Sequence, residues 1–195
     1  MALISGRRAP HVDITANETV PTGPAAGQVV APAQARAFGY VTAALRIGLG
    51  WIFLWAFLDK LFGLGHETAS KAAWINGGSP TNGFLAHATA GPFANLYQNI
   101  AGQAWADWLF MIGLAGIGTA LIAGVAMRIA AASGALLLVL MWTAVLPPEN
   151  NPFMDDHLIY AGVLTVLALT AAGNTLGLGS YWSLQPIVQR LPWLK

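Results

Sequence analysis

The sequence has no cysteine, and only 9% of its 195 residues are charged. The first absence excludes disulfides, thiolate nucleophiles, iron–sulfur clusters and thiolate metal sites within this chain. The second sets it apart from soluble domains, where roughly a quarter of residues are charged. The formal net charge of +1 provides no basic stripe from which phosphates would release counterions, so nucleic acid is not an expected partner. Histidine is scarce as well. His11, His66, His87 and His157 all fall outside the middle of any apolar run, so no bis-histidine haem can be held between two spans. No strand–helix–strand pattern exists to build a dinucleotide fold. GGSPTNG at 77–83 lacks both the preceding strand and the lysine of a phosphate loop. Neither haem, flavin nor metal is therefore expected.

What is abundant is apolar: 56% hydrophobic residues and eight tryptophans. Residues 1–38, with Pro10, Pro21, Pro24 and Pro32, read as a disordered tail that cannot bury enough surface to offset its ordering entropy. Four apolar runs follow, at about 39–64, 106–127, 129–146 and 157–173. A helix needs ~20 apolar residues to cross the hydrocarbon core, and backbone groups in lipid must bond internally. The fourth run is a little short and draws on Leu176 and Leu178. The fold class expected is thus all-α, an integral membrane four-helix bundle. Arg7, Arg8, Arg36, Arg128, Arg190 and Lys195 fall on one side, and only Lys60 and Lys71 on the other. The positive-inside rule then puts both termini in the cytoplasm of a cell-membrane protein, with 176–195 as a cytoplasmic tail.

The outward connection, 65–105, is too long to lack structure. Ser79-Pro80 reads as a helix cap followed by proline, and Pro92-Phe93 begins another short helix. Phe93, Leu96, Tyr97 and Ile100 recur at helical spacing. They predict an interfacial helical cap that lies on the bilayer or packs onto the helices below. Gly113, Gly116, Gly118 and Gly124 predict close helix approach.

The stretch PPENNPFMDDHLIY at 147–160 concentrates three acids and a histidine in a chain with few of either. Antiparallel helices would bring it level with Lys60, Asp107 and Trp142. Asp156 and Tyr160 share a helix face. Two readings follow. Asp107, Asp155 and Asp156 complement helix N-termini. Alternatively, a pocket lies under the cap, where Lys60 holds an anion and Asp156 and His157 relay protons, histidine titrating near neutrality. Arg46, inside the first run, needs a carbonyl, a hydroxyl such as Ser133 or Thr170, or a bound molecule, unless it snorkels to the interface. Arg46, Gly50, Phe53, Phe57 and Lys60 share one stripe, which is either a packed face or a slot for a flat ring such as a quinone.

The runs RIGLGWIFLWAFLDKLFG, AWINGGSPTNGFL, WADWLFMIGLAGIGTALIAGVAMRIAAASG and MWTAVLPPENNPFMDDHLIYA, within 39–175, resemble the DoxX family. They are similar to its DoxD-like branch, the membrane subunits of thiosulfate:quinone oxidoreductases. The resemblance implies a four-helix membrane bundle, membrane quinone as electron acceptor, thiosulfate or another small reductant as donor, and a second protein subunit. The matching positions are Arg46, Lys60, Asp107, Asp156 and His157, and the resemblance carries no catalytic assignment onto them. From their placement at the outer mouth, Asp107, Asp156 and His157 are the expected catalytic residues. Lys60, Arg46, Trp142 and Tyr160 are the expected substrate-binding residues. The alternative is an accessory subunit that scaffolds a larger redox complex.

Overall fold

A computed structural model describes residues 31–195, and every regular element among them is helical. Helix α1 runs Pro32–Phe62. Its proline occupies the first turn, where no N–H is needed, and PAQARA continues with good helix formers. The helix therefore begins ahead of the expected boundary at 39, and 32–38 belong to it instead of to the tail. The rest of the expected tail, through residue 30, lies outside the described residues.

Helix α2 (Asn82–His87) and helix α3 (Ala94–Ile100) lie in the connection before helix α4 (Ala104–Ala123). Helix α5 (Met127–Ala144) follows a short turn. The second run was expected to continue to 127, but Gly124 ends it. That glycine adopts the left-handed conformation (φ 74°), and its N–H returns to the Ala120 and Leu121 carbonyls. Helix α6 spans Asp156–Leu169. It stops short of 173 because Ala171 turns left-handed and the chain reverses toward Gly124. Leu176 and Leu178 sit beyond that turn and do not extend it. Helices α1, α4 and α5 are each long and apolar enough to cross a membrane. At 14 residues, α6 is apolar but only ~21 Å long.

Helix α1 lies along α4, α5 lies along α6, and α4 against α5 joins the two pairs. The shared core is Leu49, Phe53, Leu114, Ile117, Leu121, Leu138, Leu164 and Leu167. Glycine sets the α1–α4 distance: a Cβ on Gly118 would lie 2.7 Å from the Leu54 nitrogen. Gly50 meets Leu121 and Ile122 in the same way, so the two helices run antiparallel. Gly113 and Gly116, by contrast, have open space and set no helix contact. The outer faces are apolar too, with Leu109, Ile112 and Leu136 more than half exposed. Exposed leucine and isoleucine midway along such helices fits a lipid environment.

In the connection, Ser79 Oγ accepts the Asn82 N–H at 3.2 Å as α2 begins. Gly91, at φ 70°, touches the Leu146 carbonyl, where any side chain would collide. The expected apolar face of α3 divides. Tyr97 is buried and its hydroxyl donates to the Leu140 carbonyl at 3.0 Å, whereas Phe93 and Leu96 remain exposed.

Candidate functional site

The candidate residues fall at two opposite ends of the helices. Lys60, Asp107, Trp142, Asp155, Asp156, His157 and Tyr160 belong to the end shared by the C-termini of α1 and α5 and the N-termini of α4 and α6. Arg46 belongs to the other end.

Arg46 is fully buried. One terminal nitrogen donates to the Leu121 carbonyl and, at 2.8 Å, to that of Ile122. The other donates to the Thr175 and Leu176 carbonyls, at 3.2 and 2.8 Å. Leu121 and Ile122 are in the last turn of α4, where the Leu121 carbonyl has only the Gly124 N–H at 3.2 Å and the helix has run out of N–H groups for that of Ile122. The guanidinium therefore caps α4 from a neighbouring helix and complements the negative end of its dipole. It does not snorkel. Ser133 and Thr170 are not its partners: the terminal nitrogens donate to these four carbonyls instead. The stripe above it is a packing face: α4 fills the space at Gly50, and Phe53 is core.

At the acidic end, Asp107 is buried in the first turn of α4. Its Oδ1 accepts the Ser79 hydroxyl at 2.9 Å, the Thr81 N–H at 3.0 Å and the Thr81 hydroxyl at 2.6 Å. This carboxylate is committed to holding the 79–81 loop. Asp155 is the N-cap of α6: Oδ1 accepts the Leu158 N–H at 3.3 Å, and Oδ2 lies 2.8 Å from His157 Nδ1. Asp156 Oδ1 lies 3.4 Å from the same nitrogen, with its side chain mostly exposed. Nδ1 is thus the bonded ring nitrogen and Nε2 the one left for another partner. The three side chains bring potential metal-ligating atoms within 4.8 Å of one another, all from consecutive residues. Trp142 Nε1 donates to the Phe153 carbonyl at 2.8 Å and so fastens the 147–155 turn to α5. Tyr160 packs partly buried against the core.

Among the described residues, no hydrogen bond or ion pair joins Lys60, Asp107 and His157. Lys60 instead lines a separate cleft of ≈ 480 Å³ with Trp51, Ile52, Trp55, Ala56, Asp59, His66 and Glu67. The Trp55 and His66 rings meet edge-on at 5.2 Å, and Trp51 lies 5.7 Å from Trp55. Asp59 is buried and shapes this cleft. Its two oxygens accept the N–H groups of His66 and Glu67, at 3.3 and 3.1 Å, folding the chain back after α1. Sequence reasoning missed both Asp59 and His66. Only the adjacency of an aspartate to Gly63-Leu64-Gly65 hinted at a carboxylate holding a tight turn.

Compared with known proteins, the chain matches no family model, no curated protein and no solved structure.

Proposed function

We propose that the chain is a DoxX-like membrane subunit of a quinone-linked oxidoreductase. In this reading the four packed helices form a membrane bundle, residues 65–105 form its external interfacial cap, and the basic end faces the cytoplasm. The observation that carries it is the cleft beside Lys60. Its Trp51 and Ile52 are half exposed along the outer face of α1, so a lipid-borne ring can enter from the side. Indole rings offer a stacking surface. His66 and Lys60 offer donors to quinone carbonyl oxygens or to a small anion.

Quinone reduction consumes two electrons and two protons. Oxidising two thiosulfates to tetrathionate would release the two electrons. His157, held by Asp155 and Asp156, is the proton-handling candidate at this end. The electrons would enter through a second subunit.

A second reading, an accessory scaffold subunit, is favoured by the use made of the buried charges. Arg46, Asp59 and Asp107 all hold backbone or loop in place. The test is quinone reduction in liposomes by the protein together with the subunit that co-purifies with it in mild detergent, with thiosulfate as donor and Lys60→Ala, His66→Ala and His157→Ala as variants. Turnover lost in these variants supports the oxidoreductase. No turnover and no quinone in the lipid extract leaves the scaffold.

A further inference from the structure

The segment after α6 carries more exposed apolar surface than water tolerates. It turns at residues 171–177 and returns along the basic end through helix α7 (Gly179–Ser183) and helix α8 (Pro186–Arg190). It is pinned at both ends. The Leu178 N–H donates to the Ala123 carbonyl of α4 at 2.8 Å, and the Arg128 N–H of α5 donates to the Lys195 carbonyl at 2.9 Å. Trp182 Nε1 closes it on itself, donating to the Leu194 carbonyl at 2.7 Å. The segment is therefore a built element.

Its inner side is small, with Val188 fully buried. Its outer side is large: Leu178, Tyr181, Leu184, Ile187 and Trp193 are each more than half exposed. So many large apolar side chains exposed along one ordered element mark a surface that something covers.

Charge identifies the cover. Every acid among the described residues, Asp59, Glu67, Asp107, Glu149, Asp155 and Asp156, belongs to the opposite end or its loops. The basic end holds Arg36, buried Arg46, Arg128, Arg190 and Lys195, with no acid among the described residues there. Exposed aliphatic and aromatic side chains framed by unbalanced cations fit the boundary of an anionic leaflet. The rings and aliphatics enter the acyl boundary, and the cations meet phosphate.

We infer that residues 176–194 form an interfacial platform seated in the anionic leaflet on the basic side, in place of the water-borne tail that the sequence suggests. This rests on the membrane reading of α1, α4 and α5.

The absence of cysteine makes the test direct. The full chain carries one introduced cysteine with an environment-sensitive fluorophore, Leu184→Cys on the platform or Leu136→Cys on the outer face of α5. It is reconstituted in phosphatidylcholine vesicles with or without phosphatidylglycerol. The Leu184 label should be quenched by lipids spin-labelled near the headgroup, more strongly with phosphatidylglycerol. Aqueous iodide should leave it largely untouched. Arg190→Gln with Lys195→Gln should cut the phosphatidylglycerol advantage by about fivefold per cation removed. The Leu136 label should respond only to deep quenchers.

A Leu184 label open to iodide and silent to lipid quenchers overturns the platform while a quenched Leu136 label keeps the membrane reading. Equal quenching with and without phosphatidylglycerol overturns the anionic assignment. Protection from iodide and lipid alike places protein over the segment and overturns the proposal. A Leu136 label open to iodide defeats the membrane reading itself.

Discussion

At the scale of single residues, the buried charges act on backbone. Removing the Arg46 fork orphans carbonyls at the end of α4 and in the 175–176 turn. Arg46→Ala should cost about 3 kcal/mol, read by thermal unfolding in mild detergent and by faster amide exchange around 120–126 and 172–178. Arg46→Lys should recover only part, because a point charge cannot serve two pairs of carbonyls as a planar fork does. Asp107 separates a structural role from a catalytic one. Asp107→Ala should cost about 2 kcal/mol and open the 70–90 region to protease while the long helices stay intact. Asp107→Asn keeps the Oδ1 acceptor and should restore the fold. Turnover that survives in the asparagine variant removes Asp107 from the chemistry. These roles were hard to read beforehand for one reason. The partners of Arg46 and Asp59 are peptide groups, which every residue carries, so no residue type advertises them. Asp155 was easier, because an aspartate directly before an apolar helical run is a capping pattern in its own right.

The elements were more legible than their ends. Apolar composition located α1, α4, α5 and α6, since only long apolar runs can supply lipid-facing surface and core together. It misplaced the boundaries where composition stays apolar through a turn. Gly124 and Ala171 stop α4 and α6 by backbone conformation, and neither breaks the hydrophobic run. Glycine spacing gave a similarly mixed signal. Gly118→Ala would press a methyl group into the Leu54 backbone and should cost about 1–3 kcal/mol. Gly113→Ala meets open space and should instead stabilise α4 by about 0.5–1 kcal/mol through reduced chain entropy. Parallel melting of the two variants checks both signs. The 65–105 connection was legible as helical, but the division of the α3 face was not. Tyr97 finds Leu140 and Thr143 on α5, a pairing that sequence spacing alone does not encode.

At the scale of the whole molecule, the separation of charge makes an orientation prediction. Asn150→Cys in the 147–155 turn should react with a membrane-impermeant maleimide on intact cells. Gln189→Cys in α8 should react only after the membrane is opened. Labelling in the reverse order would invert the topology and move the Lys60 cleft inside. This separation was visible in the sequence, because lysine and arginine counts survive any error in helix boundaries. Cleft membership was not, because the fold-back at Asp59 decides which residues meet Lys60. The unequal helices have one more effect. At ~46 Å, α1 exceeds a hydrocarbon core of ~30 Å, while α6 at ~21 Å falls short of it. If the proposed membrane bundle holds, lipids on the α6 flank would have to thin to meet a shorter wall than lipids on the α1 flank. The protein would bend the bilayer unevenly around itself, and thin membranes would hold it with less strain than thick ones.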